Sequence, residues 1–365
     1  MGNYLNPGNI GFEEIRNSQY VDKSGLIALI NDTIGTKQKL TCISRPRRFG
    51  KSFAAQMLCA YYDKTCDSSA LFEDLEISTN EKLSRTYKQH LNRYDVIYLD
   101  MTAVIGAANA VSAAGNKFIM VIDEWDAPIR EAGDQPIVQK EYLEFLRSLF
   151  KNSGMTAKVF AAAYMTGILP IKKDASQSAI SDFEEFTMVK PRKFGTYVGF
   201  TADEVRKFCT DYNQDFAKMK QWYDGYSFRG VDSVYNPNSV MKAIRNDDFD
   251  SYWTQTSAAE SLMGYISLDF DGLSRTVTEL LGGVPVKVDT SAFANDLVTF
   301  RNRDDVLTLL IHLGYLAYDE KTECVRIPNE EIRMEFTKTI REVKRDETIR
   351  RVRESDQLIQ VIEKF

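Results

Sequence analysis

Residues 45–52 read Arg-Pro-Arg-Arg-Phe-Gly-Lys-Ser and lie between an apolar run, residues 40–43, and a helix-compatible segment, residues 53–62. A loop that ends in Gly-Lys-Ser between a strand and a helix is typical of a P-loop. In that loop, backbone N–H groups surround phosphate groups at the positive end of the following helix. Residues 45–52, called the phosphate loop below, therefore predict a strand–loop–helix unit that binds a nucleoside triphosphate.

Individual residues of the phosphate loop have separate predicted roles. We expect Lys51 to reach the β- and γ-phosphates and the hydroxyl of Ser52 to bind Mg²⁺. Arg45 stands where the usual pattern has its first glycine, so the loop begins without the conformational freedom of glycine. A basic surface turn is the alternative, because short motifs recur by chance. The predicted nucleotide-binding residues are Arg45, Pro46, Arg47, Arg48, Phe49, Gly50, Lys51, Ser52, Phe53 and Asp123.

A second motif follows the uninterrupted apolar run of residues 118–122, which ends in Asp123 and Glu124. A run that is apolar on both faces favours a buried parallel strand, and ligands bind at the carboxyl ends of such strands. A strand that leads into an acidic loop is the alternative. Downstream of Gly-Lys-Ser the two acids indicate a Walker B motif, with Asp123 holding Mg²⁺ through water and Glu124 polarising the attacking water as a catalytic residue.

Two further strands, over residues 95–99 and 158–165, complete the prediction of an α/β core. Thr166 follows the second of these strands and is predicted to sense the γ-phosphate; capping of the strand end is the alternative. Lys172 and Lys173 are weaker candidates for a nucleotide contact, since most lysines lie on the surface.

The segment before the phosphate loop contains a predicted apolar helix over residues 25–31. Phe12, Ile15 and Tyr20 precede this helix and are candidates for contact with the base, with core packing as the alternative. Residues 103–115 are small and nearly uncharged, and they lack the amphipathic pattern of a crossover helix.

Composition favours an intracellular enzyme or switch of more than one domain. The chain has 365 residues, 44% hydrophobic and 27% charged, which is enough for two or three cores. No apolar run approaches the roughly 18 residues that span a bilayer, and no signal sequence is evident, so we expect a cytoplasmic protein without membrane contact. Five scattered cysteines and two histidines argue against a disulfide framework and a zinc site.

The net charge of −6 provides no general attraction to nucleic acid. Residues 333–353 alternate basic and acidic side chains, which is typical of a solvated helix face, with DNA contact as the alternative.

The later part of the chain is predicted to be mainly helical. Residues 201–204 carry a capping-box pattern, and an aromatic cluster over residues 222–253 indicates either the core of a small lid or a ligand surface. A helix over residues 304–312, a hairpin and a helix over residues 329–340 suggest a winged-helix module. The predicted division is a P-loop core at 1–199, a helical lid-like region at 200–285 and a winged-helix-like region at 286–365.

The chain resembles the predicted AAA-ATPase-like proteins of bacteria, which are related to the archaeal-type ATPases among the signal-transducing NTPases. The motifs that carry the resemblance are the phosphate loop, residues 122–127 (Ile-Asp-Glu-Trp-Asp-Ala), residues 164–172 (Tyr-Met-Thr-Gly-Ile-Leu-Pro-Ile-Lys), residues 222–226 (Trp-Tyr-Asp-Gly-Tyr) and residues 235–237 (Tyr-Asn-Pro). An arginine at position 45 is usual in that family. Relatives often continue into a C-terminal nuclease-like domain, before which this chain stops.

The resemblance implies binding and hydrolysis of ATP with Mg²⁺, and adenine as the base. A nucleotide-gated interaction switch that hydrolyses slowly is an alternative function, and an ATP-regulated, DNA-associated defence or mobile-element component is another. A protein partner or a second copy of the chain stays open. Arg192 is a candidate arginine finger that no pattern fixes in position.

Overall fold

The computed structural model describes residues 5–101, 117–131, 135–150, 159–171, 182–253, 270–293, 300–338 and 341. Its strands are β1 (Leu40–Ser44), β2 (Asp95–Asp100), β3 (Phe118–Asp123), β4 (Phe160–Gly167), β5 (Glu184–Phe186), β6 (Phe200–Thr201), β7 (Tyr226–Phe228), β8 (Val231–Tyr235), β9 (Val286–Lys287), β10 (Ala317–Asp319) and β11 (Cys324–Arg326).

The described α-helices are α1 (Ile10–Arg16), α2 (Gly25–Asn31), α3 (Lys51–Tyr62), α4 (Ser69–Phe72), α5 (Glu76–Thr79), α6 (Tyr87–His90), α7 (Ala127–Glu131), α8 (Pro136–Phe150), α9 (Ala202–Asp211), α10 (Phe216–Tyr223), α11 (Pro237–Asn246), α12 (Leu273–Leu281), α13 (Arg303–Leu313) and α14 (330–338). None of them is long and apolar enough to cross a membrane. The predictions for residues 103–115, for Lys172 and Lys173, and for most of 333–353 lie outside the described residues.

The central sheet has five parallel strands in the order β2–β3–β4–β1–β5. Every residue of β1, β3 and β4 is buried, which fits a parallel sheet covered on both faces. Successive side chains alternate between two cores, so that Ile43 packs in the core with α3 and Cys42 in the core with α8. The predicted α/β core is confirmed.

The strand order brings three strand ends together. Because β4 lies between β1 and β3, Ser44 pairs with Gly167 and Ile122 pairs with Met165. The residues that follow β1 and β3 therefore meet at the carboxyl edge of the sheet, where ligands bind in open α/β sheets.

The region predicted to be helical contains α9, α10 and α11 but also an antiparallel sheet in the order β6–β8–β7. The helices agree with a mainly helical region over residues 200–285, whereas the small sheet was not predicted. The capping box is present: the hydroxyl of Thr201 accepts from the N–H of Glu204, and the Glu204 carboxylate accepts from the N–H of Thr201. Tyr223 and Tyr235 are fully buried in this region's own core, as the lid-core interpretation requires.

The last described region combines α12, α13 and α14 with a sheet in the order β10–β11–β9. The predicted helix, antiparallel hairpin and following helix are present. Assignment of this unit as a winged helix, and the proposed boundaries at residues 199 and 285, stay predictions.

The regions pack against one another around the phosphate loop. The Tyr226 hydroxyl donates to the carbonyl of Gly314, and Phe49 meets Tyr226 edge to face with ring centroids 5.5 Å apart. A Cβ added to Gly314 would lie 2.8 Å from Pro46 Cγ and 2.8 Å from Trp253 Cη2. The outer side of the phosphate loop is thus a packed interface with later parts of the chain.

Candidate functional site

The phosphate loop connects the end of β1 to the first turn of α3. Gly50 precedes the helix with a φ of 87°, a conformation that glycine adopts at no steric cost, and Arg48 has a φ of 69°. Lys51 is the first helical residue, and its Nζ donates to the carbonyl oxygens of Arg45 (3.1 Å) and Pro46 (3.0 Å). The loop therefore folds around a buried ammonium group at a helix N-terminus, which favours anions.

Lys51 and Asp123 are oppositely charged groups that are both buried at this edge of the sheet. Burial lowers the pKa of Lys51, while the charges of Glu124, Asp123 and Asp126 act in the opposite direction. Burial raises the pKa of Asp123, against hydrogen bonds from Ser52 and Thr166 and the charge of Lys51. Burial thus disfavours the charged form of each group, and the neighbouring charged and polar side chains favour it.

Thr166, at the end of β4, joins the two predicted motifs. Its hydroxyl donates to the carboxylate of Asp123 and accepts from the N–H of Glu124 at 3.2 Å. Its carbonyl accepts from the N–H of Trp125 at 2.8 Å. The structure thus brings Thr166 to the acidic pair, as its sequence position predicted, while its role as a γ-phosphate sensor stays a prediction.

Ser52 and Asp123 provide the oxygen ligands that Mg²⁺ prefers. Ser52 is exposed, and its hydroxyl is close enough to the Asp123 carboxylate to lower the pKa of that acid. Magnesium is commonly held by one or two protein oxygens together with phosphate oxygens and water. These two side chains fit that requirement, although the described residues contain no cluster of three His, Cys, Asp or Glu side chains.

Glu124 occupies an unusual backbone conformation, with a φ of 53°. Such left-handed residues other than glycine are uncommon and cluster at functional sites. Its carboxylate lies 2.5 Å from Nη2 of Arg130, and Nε of the same arginine lies 3.0 Å from the carboxylate of Asp126. No role was predicted from the sequence for Arg130 or Asp126, although their i,i+4 spacing is that of a helical ion pair.

A cavity of ≈ 390 Å³ opens next to these groups. Its walls come from the phosphate loop and α3, from the segment before α2, and from the region of residues 200–253 that contains α11, called the second region below. The lining residues are Ser18, Gln19, Tyr20, Val21, Lys23, Arg48, Phe49, Gly50, Lys51, Ser52, Phe53, Ala54, Met57, Glu124, Tyr197, Gly199, Phe200, Pro237, Asn238, Met241, Lys242 and Arg245. The volume is at the lower end of the range for ligand pockets.

The three candidates for base contact have different surroundings in the structure. Tyr20 lines the cavity, whereas Phe12 and Ile15 are buried in the main core. Phe12 stacks on Phe72 with ring centroids 5.0 Å apart. The packing alternative therefore describes Phe12 and Ile15, and Tyr20 remains the candidate.

Arg45 lies outside the cavity lining. Its guanidinium donates to the carbonyl of Thr187 at 2.8 Å and lies 5.1 Å from the ring centroid of Phe228. Burial lowers the pKa of Arg45 to about 9. This side chain packs the base of the loop against neighbouring segments. Pro46 and Arg47 are also absent from the lining, so nucleotide contact by these three residues stays a prediction.

The candidate arginine finger, Arg192, has a φ of 45°, and its Nη1 lies 3.5 Å from a carboxylate oxygen of Glu184. It does not line the cavity within this chain.

Comparison with known proteins gives a family match for the first half of the chain. Residues 8–113 and 105–176 match the model of a family described as Predicted AAA-ATPase. The chain is 23% identical over 280 residues to an uncharacterized protein in the vnfD 5′ region of Azotobacter chroococcum mcd 1, a match that covers 68% of this chain and 52% of that protein. The chain thus spans about half the length of this relative.

Among solved structures, the chain is similar to Cdc6p from Pyrobaculum aerophilum. The identity is 12% and the TM-score 0.26, and the match covers 90% of this chain and 98% of that one.

Proposed function

Since residues 8–176 belong to the predicted AAA-ATPase family, we propose that the protein binds ATP together with Mg²⁺ and hydrolyses it. One observation carries the proposal: Lys51, at the start of α3, and the Thr166-bonded Asp123 lie at the same edge of the sheet beside the cavity. Phosphoryl transfer requires mainly positioning and charge stabilisation, which this arrangement supplies.

Each side chain of the cluster has a proposed part in the reaction. Lys51 and the first N–H groups of α3 bind the phosphates. Ser52 and Asp123 are the residues that would hold Mg²⁺, which neutralises charge on the phosphate oxygens when bound. Glu124 orients the attacking water and accepts its proton, and Thr166 hydrogen-bonds at the γ-phosphate end of the site.

The base would lie against the apolar part of the cavity lining. Tyr20, Phe200 and Met241 contribute aromatic and aliphatic surface to its lining. Planar apolar surface with few polar groups suits a purine ring. Adenine is proposed on the family membership, and a thermal-shift comparison of ATP with GTP tests it.

The test measures thermal stability against ATP, GTP and ADP with Mg²⁺, alongside phosphate release, for the wild type and two variants. Lys51→Ala should lose the nucleotide-dependent rise in Tm, because the buried ammonium is the principal phosphate ligand. Glu124→Gln should keep that rise and lose turnover. Lys88→Ala is the matched control, since Lys88 is an exposed lysine outside the cavity lining. A nucleotide shift that survives in Lys51→Ala, or normal turnover by Glu124→Gln, contradicts the assignments.

A slow, nucleotide-gated switch is the second candidate, and one observation favours it. The cavity lining includes Asn238, Met241 and Arg245 of α11, so a bound nucleotide would touch both the α/β core and the second region. A ligand that contacts two regions stabilises their closed arrangement. A large ATP-dependent rise in Tm combined with a single-turnover rate of the order of minutes would support the switch, whereas fast multiple turnover would favour the enzyme.

A further inference from the structure

Arg130, on the short helix α7, is bonded to two carboxylates of the loop that follows β3. Its Nη2 lies 2.5 Å from Glu124 Oε2 and its Nε lies 3.0 Å from Asp126 Oδ2. The Arg130 side chain is 9% exposed, and those of Glu124 and Asp126 are 20% and 0% exposed. This ion-paired triad is therefore largely shielded from water, where charge-assisted bonds to a planar guanidinium are strongest.

Asp126 fixes the arginine to the central sheet. Its Oδ2 accepts from the N–H groups of Ile168 (3.1 Å) and Leu169 (2.9 Å), directly after β4. A carboxylate held by two backbone donors has little freedom to move. Arg130 is thus attached at one edge of its guanidinium to a rigid part of the fold, and its other edge meets Glu124.

Glu124 has a fixed backbone and a flexible side chain. Its N–H donates to the hydroxyl of Thr166, and its carbonyl accepts from the N–H of Ala127 at 2.9 Å. Beyond Cα the glutamate has three rotatable bonds, each with several staggered or broad minima. Glu124 also lines the cavity, so the contact with Arg130 restricts where its carboxylate lies within that space.

We propose that Arg130 is a positioning residue for hydrolysis, which holds the carboxylate of Glu124 at the cavity and is itself held by Asp126. This inference rests on the proposed function, since it assigns a task to Arg130 only if Glu124 acts on the attacking water. A misplaced general base reduces the rate of the chemical step without changing how the phosphates are bound. Loss of Arg130 should therefore lower kcat and leave KM nearly unchanged.

Two other roles for Arg130 predict different results. An arginine that binds the phosphates directly would raise KM and weaken the ATP-dependent rise in Tm when it is removed. An arginine with a purely structural role would lower Tm, and the loss of activity would follow the loss of folded protein. A lysine at this position keeps the charge but lacks the planar fork that contacts two carboxylates at once.

The experiment compares Arg130→Gln, Arg130→Lys, Glu124→Gln and the Arg130→Gln/Glu124→Gln double variant with the wild type. Lys140→Gln is the control, because it removes a positive charge from an exposed side chain on the neighbouring helix α8. Each protein is assayed for kcat and KM for MgATP, for Tm, and for the rise in Tm on addition of MgATP.

We expect Arg130→Gln to lower kcat by about 10- to 100-fold, which is the scale of misplacing a reacting group, with KM within about threefold and the ATP-dependent rise in Tm retained. Arg130→Lys should recover part of kcat. In the Glu124→Gln background, Arg130→Gln should cause no further loss, because both changes remove the same function. Lys140→Gln should match the wild type.

Several results would overturn the inference. An unchanged kcat in Arg130→Gln would show that the ion pair is dispensable, and an increased kcat would show that it holds the glutamate away from the reaction. A raised KM with unchanged kcat would indicate that Arg130 binds the phosphates. A further loss in the double variant would show that Arg130 acts independently of Glu124. Absence of hydrolysis by the wild type would refute the proposed function and this inference together, whereas normal wild-type hydrolysis with normal Arg130→Gln refutes the inference alone.

Discussion

Glu331 is a buried acid that joins α14 to the segment that follows α11. This residue of α14 is 1% exposed, and its Oε1 accepts from the N–H of Tyr252 at 2.8 Å. Burial, with a smaller contribution from the charge of Glu335, raises its pKa from 4.5 to about 7, and the hydrogen bond from the N–H of Tyr252 acts in the opposite direction. The folded protein therefore holds this proton more tightly than the unfolded chain does.

The sign of the pH effect follows from the direction of this shift. Below about pH 4.5 the carboxyl is protonated in both states, and its stabilising contribution is fully present. As the pH rises toward 7 the unfolded chain releases the proton first, so the free energy of unfolding falls. A shift from 4.5 to about 7, at about 1.4 kcal/mol per pKa unit, makes this loss about 3 kcal/mol above pH 7.

Glu331→Gln replaces the acid by a neutral group of the same shape that can still accept from Tyr252. We expect the variant to be about 3 kcal/mol more stable than the wild type at pH 8 and equally stable near pH 4.5. Urea denaturation followed by tryptophan fluorescence at several pH values between 4.5 and 8 measures both curves. Glu330→Gln is the control, since the side chain of Glu330 is 37% exposed and should change stability by less than about 0.5 kcal/mol.

A Glu331→Gln protein that is no more stable than the wild type at pH 8 would contradict the raised pKa of Glu331. An equal difference between the two proteins at pH 5 and pH 8 would contradict it as well, because the effect would then not depend on ionisation of Glu331.

Three further variants test other parts of the structure. Thr166→Val keeps the shape of the side chain but leaves a buried aspartate without its hydroxyl donor; it should cost about 1 to 3 kcal/mol in urea denaturation and lower kcat for ATP. Gly225→Ala places a Cβ 2.5 Å from the carbonyl carbon of Pro328 at a φ of 119°, so it should lower stability by more than about 2 kcal/mol, and an unchanged Tm would contradict the contact. Thr201→Ala removes the capping box with Glu204 and should cost about 1 kcal/mol, with kcat unchanged.

Parts of the fold with a strong local pattern could be predicted from the sequence. The apolar runs of β1, β3 and β4 and the apolar helix α2 matched their predicted positions because continuous burial leaves an unmistakable sequence signal. The small sheet formed by β6, β7 and β8 was missed. Its strands have two, three and five residues, too few to show an alternating pattern.

Some residues of the site could likewise be predicted from the sequence and others could not. Lys51, Ser52 and Asp123 belong to sequence motifs, and the structure brings them together. Arg130 has no motif of its own, and its contact with Glu124 depends on how α7 leaves the sheet. The left-handed conformation of Glu124 and the contribution of Met241 to the cavity likewise follow from tertiary packing, which a single sequence does not display.

Because the phosphate loop packs against residues late in the chain, it cannot form all its contacts until those residues have been synthesised. Arg48 donates to the carbonyl of Tyr252 at 2.9 Å, a partner 204 residues further along the chain, and Pro46 contacts Gly314 later still. At ribosomal rates of about 5 to 20 residues per second, the first of these partners is made roughly 10 to 40 s after the loop. A nascent chain that already contains the phosphate loop and the Asp123–Glu124 pair must therefore wait for its second half before the loop reaches its final contacts.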